Sequence, residues 1–252
     1  MADAIVIDAL TGGYEDKTLF QRISLSFPKG AFIALAGPNG SGKSSLLKFL
    51  YKQLKPKEGA IRVEQADLST LKQKALAQRI GFVPQDGRLD FSFTVEETVA
   101  MGRYANPLPD DVERIHTAME TCSVLELRDT PVTRISGGEL QRTLLARALA
   151  QDGKILLLDE PVNHLDIAHQ RSVMHLLQDL VKGGYTVVAV LHDLLLAQAY
   201  SSWIIFLKDG AVAAYGPTAE VVTEEILKSV YGVESHRIFD PRLDKELLIP
   251  AW

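Results

Sequence analysis

The sequence predicts an α/β fold: a parallel core sheet, an antiparallel β subdomain near the N-terminus, and a helical subdomain inserted in the middle. Three observations carry this. Short apolar runs with little polar alternation, Phe32 to Ala36, Ile155 to Leu158 and Val187 to Leu191, are separated by segments of helix length. That is the pattern of parallel strands covered on both faces by helices. Residues 87–151 contain no strand-like run and are punctuated by Pro107, Pro109 and Pro131. Finally, Gly37 to Ser45 reads GPNGSGKSS between the first apolar run and a helix-like one.

In chain order, Ala4 to Ile7 and Ser24 to Phe27 are expected as antiparallel strands ahead of that loop. The loop itself (Gly37, Pro38, Asn39, Gly40, Ser41, Gly42, Lys43, Ser44, Ser45) satisfies G-x-x-x-x-G-K-[ST] in its strand–loop–helix setting. Glycines let successive backbone N–H groups converge on phosphate oxygens, and the following helix adds its positive end. Lys43 supplies a point charge for the β/γ-phosphates, and the Ser44 hydroxyl suits Mg²⁺. Chance produces the pattern in roughly one chain in a hundred of this length, so a nucleoside triphosphate is expected. Helical periods follow at Val95 to Met101, Val112 to Cys122 and Leu140 to Leu149. Later, Trp203 to Leu207 and Ala211 to Ala214 bracket the hairpin-type turn Lys208-Asp209-Gly210. A last helix over Glu224 to Tyr231 leaves a tail expected to be too short for another domain. We divide residues 1–252 into a core of 1–86 with 152–252 and the helical subdomain 87–151.

Composition narrows the class. Hydrophobic residues make up 46% and charged residues 23%, which is ordinary for a soluble globular chain of 252 residues. The net charge is −5 with no dense Lys/Arg run, so no nucleic-acid partner is expected. The single cysteine, Cys122, allows no internal disulfide, fits a reducing cytosol, and reads as a small buried residue. MADAIVIDAL lacks a basic n-region, and no apolar run approaches the roughly 20 residues that span a bilayer.

Two further motifs carry chemistry. The strand Ile155 to Leu158 ends in Asp159 and Glu160. The C-terminal end of a parallel strand faces the ligand crevice, where Asp159 suits Mg²⁺ and Glu160 suits the polarisation of an attacking water. ISGGELQR, Ile135 to Arg142, places Ser136 as an N-cap and Gly137 with Gly138 as exposed N–H donors, a second anion site. One chain does not easily bring two such sites to one phosphate; two copies packed head to tail do.

Phosphate loop, ISGGE helix, LLLDEP strand end and a His after a later strand occur in the order seen in ATP-binding-cassette ATPases, and the whole chain resembles the nucleotide-binding subunit of an ABC transporter. It is most similar to subunits of importers for iron-siderophore, haem or cobalamin-type chelates, through Met101 to Arg103, Glu160 to Gln170 and Gly216 to Val233. The resemblance implies a P-loop NTPase (RecA-like) core that hydrolyses ATP with Mg²⁺. It makes Tyr14 the aromatic that stacks on adenine, and Gln85 the residue that contacts Mg²⁺ and water and senses the membrane partner. Ser136, Gly137 and Gly138, with Glu139 in the same turn, would meet the γ-phosphate held by a second copy. Asn163 to Asp166 resembles the loop that crosses the dimer interface, and His192 matches the switch histidine at the γ-phosphate. His116, His164, His169, His175 and His236 lack ligand-like spacing and are assigned no metal. The implied partners are a second copy, integral membrane permease subunits and, indirectly, a substrate-binding protein. The implied location is peripheral, on the cytoplasmic face of the inner membrane.

Ser45, Ile135 and Val162 depart from commoner Thr, Leu and Thr without removing a catalytic group. Chromosome-maintenance ATPases of this superfamily need a long heptad insertion and tandem translation-factor types need two cassettes, both absent. A small-molecule kinase would not need ISGGE or His192. A soluble ATPase of iron–sulfur cluster assembly stands as the alternative reading.

Overall fold

The computed structural model describes residues 2–15, 17–85 and 92–251. They form two compact units, Met1–Thr70 with Thr186–Trp252, and Leu71–Tyr185. The first unit opens with β1 (Asp3–Tyr14), β2 (Lys17–Pro28), β3 (Phe32–Ala36), α1 (Lys43–Leu50), β4 (Glu58–Val63) and β5 (Ala66–Asp67). The second holds α2 (Gln73–Ala77), β6 (Ile80–Val83), α3 (Val95–Ala100), α4 (Asp111–Thr121), α5 (Gly137–Leu149), β7 (Ile155–Leu158) and α6 (Ile167–Lys182). The chain then returns to the first unit as β8 (Thr186–Val190), α7 (Leu194–Tyr200), β9 (Trp203–Lys208) and β10 (Ala211–Pro217). It ends with α8 (Thr218–Val221), α9 (Glu224–Tyr231), β11 (Ser235–Asp240) and β12 (Lys245–Pro250).

In the first unit, β3 runs parallel to both β8 and β9, with Phe32 opposite Val187 and Ala36 opposite Phe206. Every residue of β3 and β8 is buried, as expected for apolar strands without alternation. β10 joins β9 antiparallel across the Asp209-Gly210 turn, and β1 pairs antiparallel with β2 and β4. β1 and β2 extend well beyond Ala4–Ile7 and Ser24–Phe27. Their register shifts repeatedly, with Ala9 and Arg22 at positive φ, and these bulges erase the alternation that would have marked the full strands. α1 follows the phosphate loop and buries Leu46, Leu47, Phe49 and Leu50 completely. A helix this short does not stand alone in water; burial worth roughly 1.5–3 kcal/mol per large side chain holds it. Beyond α9 the tail is ordered as the β11–β12 hairpin. The buried Gln198 amide of α7 donates to the Leu248 carbonyl at 2.9 Å and accepts from the Leu248 N–H at 2.8 Å, clasping β12.

In the second unit, β6 and β7 pair in parallel from Ile80–Ile155 to Val83–Leu158. The three expected helical periods form α3, α4 and α5, with α3 and α4 packed on α5. Of the expected helical subdomain, residues 87–91 lie outside the described residues. Between 92 and 151 the regular structure is helix and 3-10 turn joined by short turns, apart from an isolated Thr94–Pro131 bridge. The compact unit is wider than that segment and takes in β6, β7 and α6. Arg103 staples it internally while only 3% exposed. Its guanidinium donates to Asp111 Oδ1 at 2.6 Å, to Asp152 Oδ2, and to the carbonyls of Asn106 and Ala150 at 2.6 and 2.7 Å. Cys122 is buried at the end of α4, and burial pushes its thiol pKa up.

Candidate functional site

The phosphate loop lies wholly in the first unit. Gly37 follows β3 at φ 139°, and a Cβ there would sit 2.0 Å from the Leu207 carbonyl oxygen, so only glycine fits. Gly42 is the left-handed N-cap of α1. Lys43, 5% exposed, folds its ammonium back onto the carbonyls of Gly37 and Pro38 at 2.8 and 2.9 Å. Ser41 Oγ is buried with no hydrogen-bond partner among the described residues, a polar atom left over inside the loop. Such a cradle of loop and helix N-terminus suits an anion. Tyr14 stands exposed at the end of β1, its hydroxyl 3.1 Å from Ser45 Oγ. Lys48 of α1 donates to that hydroxyl at 3.3 Å and lies 5.6 Å from the ring centroid, a contact no sequence pattern had flagged. His192 is exposed just past β8, and Asp193 caps α7 by accepting from the Leu195 and Leu196 N–H groups at 2.7 and 3.1 Å.

The second unit brings together the carboxylates and the glycine turn. Asp159, 5% exposed, ends β7, with its N–H on the Val83 carbonyl at 2.9 Å. Glu160 follows at φ 53°, a left-handed conformation that costs a non-glycine residue about 1–3 kcal/mol and persists where surroundings enforce it. Its carboxylate is held by two side-chain amides: Gln85 Nε2 and Asn163 Nδ2 both donate to Glu160 Oε2, at 2.8 and 2.7 Å. Sequence reasoning had placed Asn163 in an interface loop without this bond. At α5, Ser136 is the N-cap of a complete capping box. Glu139 Oε2 accepts from the Ser136 N–H at 2.7 Å and hydroxyl at 2.8 Å, which lowers the Glu139 pKa. Asp166 caps α6 likewise, accepting from the His169 N–H at 2.9 Å, and hydrogen bonds from His169 lower its pKa.

Each residue expected at a metal offers a hard oxygen: the Ser44 hydroxyl in the first unit, and in the second the Asp159 carboxylate and the oxygen end of Gln85, whose nitrogen end faces Glu160. That chemistry fits Mg²⁺. Among the described residues no helix is long and apolar enough to cross a membrane.

Residues 20–163 match the ABC transporter family. The chain is 38% identical over 250 residues to the ferric enterobactin transport ATP-binding protein FepC of Escherichia coli (strain K12), covering 96% of this chain and 92% of FepC. A solved structure described as a metal-chelate type ABC transporter in an inward-facing conformation matches with TM-score 0.85 and 30% identity, over 100% of this chain and 98% of that one. The ATP-binding cassette MJ0796, solved as a dimer in a post-hydrolysis state with ADP and Pi, matches with TM-score 0.75 and 28% identity, over 85% of this chain and 98% of that one. Fold and motifs together define a P-loop ATPase cassette. The chain belongs to the ABC transporter family and is an ATP hydrolase of the transport class.

Proposed function

We propose that this chain powers an importer for an iron-chelate, haem or cobalamin-type substrate. It works as a head-to-tail dimer with a second copy, on integral membrane permease subunits, peripheral to the cytoplasmic face of the inner membrane. A substrate-binding protein delivers the cargo to that permease. The observation that carries this reading is the likeness to FepC and to the metal-chelate transporter over nearly the full length of both chains. The dimeric state of the MJ0796 cassette supports the pairing of copies.

The roles follow from chemistry. Gly37 to Ser45 bind the triphosphate through backbone N–H groups, with Lys43 as the charge opposite the β/γ-phosphates. Tyr14 holds the adenine by stacking. When bound, Mg²⁺ would be held by Ser44, Asp159 and Gln85 and would neutralise phosphate charge. Glu160, oriented by Gln85 and Asn163, accepts the proton of the attacking water as its oxygen bonds to the γ-phosphorus and the bond to the ADP oxygen breaks. His192 donates to the γ-phosphate, and Ser136 to Gly138 of the second copy close over it.

Uptake tests the reading. A strain lacking this gene should lose uptake of one labelled chelate among ferric siderophore, haem and cobalamin. The wild-type gene should restore it and Lys43→Ala should not. Undiminished uptake of all three in the deletion strain would overturn the import assignment.

A further inference from the structure

We infer that His169 is a positioning residue that sets the glycine turn Ser136–Gly138 for ATP-driven pairing of two copies. The inference rests on the proposed head-to-tail dimer and goes beyond it. The buried Gly138 backs directly onto the His169 imidazole: a Cβ at Gly138 would lie 2.6 Å from Cδ2 and 3.0 Å from Cγ of that ring. Asp166 holds both the ring and the backbone of His169, each by one bond. Asp166 Oδ1 takes the His169 N–H at 2.9 Å, and Asp166 Oδ2 lies 2.8 Å from His169 Nδ1.

Two helix starts therefore meet at one imidazole. On the α5 side, Glu139 is committed to its own N-cap, Ser136. On the α6 side, both Asp166 oxygens are committed to His169. Neither carboxylate spans the two turns; the ring does. A shift of the loop Asn163–Asp166 moves His169 with it, and the Gly138 backbone rests on that ring. The glycine turn and the loop assigned to the dimer contact are in this way geometrically one object. His169 touches no nucleotide itself and acts through Gly138 and Asp166.

The test uses the full chain carrying Glu160→Gln, in which ATP should accumulate the dimer. Light scattering against ATP concentration gives the midpoint of pairing, and a fluorescent ATP analogue reports binding to the phosphate loop of each monomer. His169→Ala should raise the pairing midpoint by about tenfold or more, a typical coupling between sites, while analogue affinity stays unchanged. His169→Asn, whose amide restores a donor toward Asp166, should recover most of the loss. Pairing of His169→Ala at the parent's ATP concentration overturns the inference. So does equal loss in both variants accompanied by weakened analogue binding, which would mark general unfolding. A Glu160→Gln parent that stays monomeric in saturating ATP removes the dimer reading itself, and the inference falls with it.

Discussion

The Tyr14 hydroxyl lies 3.1 Å from Ser45 Oγ, so the aromatic proposed to stack on adenine is tied to the last residue of the phosphate loop. Tyr14→Ala should weaken ATP binding by about 1–3 kcal/mol, the range for aromatic–base stacking. Tyr14→Phe keeps the ring but forfeits the bonds to Ser45 and Lys48, and should lose no more than about 1 kcal/mol. Titration calorimetry with ATP separates the two. Equal losses in both variants would argue against stacking.

Glu160→Gln keeps the shape of the side chain but removes the base. ATP should still bind, since Lys43 and Ser44 are untouched, while hydrolysis falls by roughly 10²–10⁴-fold. Light scattering should show a dimer with ATP and a monomer with ADP, and adding Ser136→Arg should abolish the dimer. Multiple-turnover phosphate release near the wild-type rate would remove Glu160 from its proposed role.

Arg103 engages Asp111, Asp152 and two carbonyls while almost fully buried, so Arg103→Ala removes the donor to Asp111 and both carbonyls, while Arg114 still reaches Asp152. We expect a stability loss toward the lower end of the 3–5 kcal/mol typical of broken buried pairs, because both acids retain access to water. Arg103→Lys should be destabilised as well, since an ammonium cannot reproduce the guanidinium fork. Denaturant unfolding measures both, and a loss below about 1 kcal/mol for Ala would show that the staple carries little.

The capping carboxylate of α5 makes a pH prediction. Bonds from Ser136 lower the folded-state pKa of Glu139 below its ordinary 4.5. Its contribution is therefore present above 4.5 and lost as pH falls through the lowered value. Glu139→Gln should melt below wild type at pH 7, and the gap should close progressively on acidification past that point. A gap independent of pH would locate the effect in shape rather than charge.

The β3 loop, the β7 carboxylates and the α5 cap were legible because each combines a buried apolar run with a fixed-spacing polar motif. The helices α3 to α5 were legible through period and proline punctuation. Several features were not. The bulges of β1 and β2 break the alternation that a strand reading needs, and β4 and β6 are short strands beside stronger signals. Residues 235–250 alternate too little to announce a hairpin, whose anchor is the distant Gln198. The Asn163–Glu160 bond and the His169–Gly138 contact depend on side-chain direction at helix starts, which spacing alone does not encode.

The contact between Gly37 and the Leu207 carbonyl has a consequence for biosynthesis. β3 finds its two neighbours only in β8 and β9, which the ribosome makes long after the GPNGSGKSS segment has emerged. Until then the loop has its glycines and its lysine but lacks the wall that gives it shape. A nascent chain stopped before Thr186 should thus be unable to retain nucleotide, although every phosphate-binding residue of the loop is already translated. Non-local pairing of this kind slows folding and leaves strand edges unpaired meanwhile. The apolar β3 segment in consequence waits for its strand partners until most of the chain has been made.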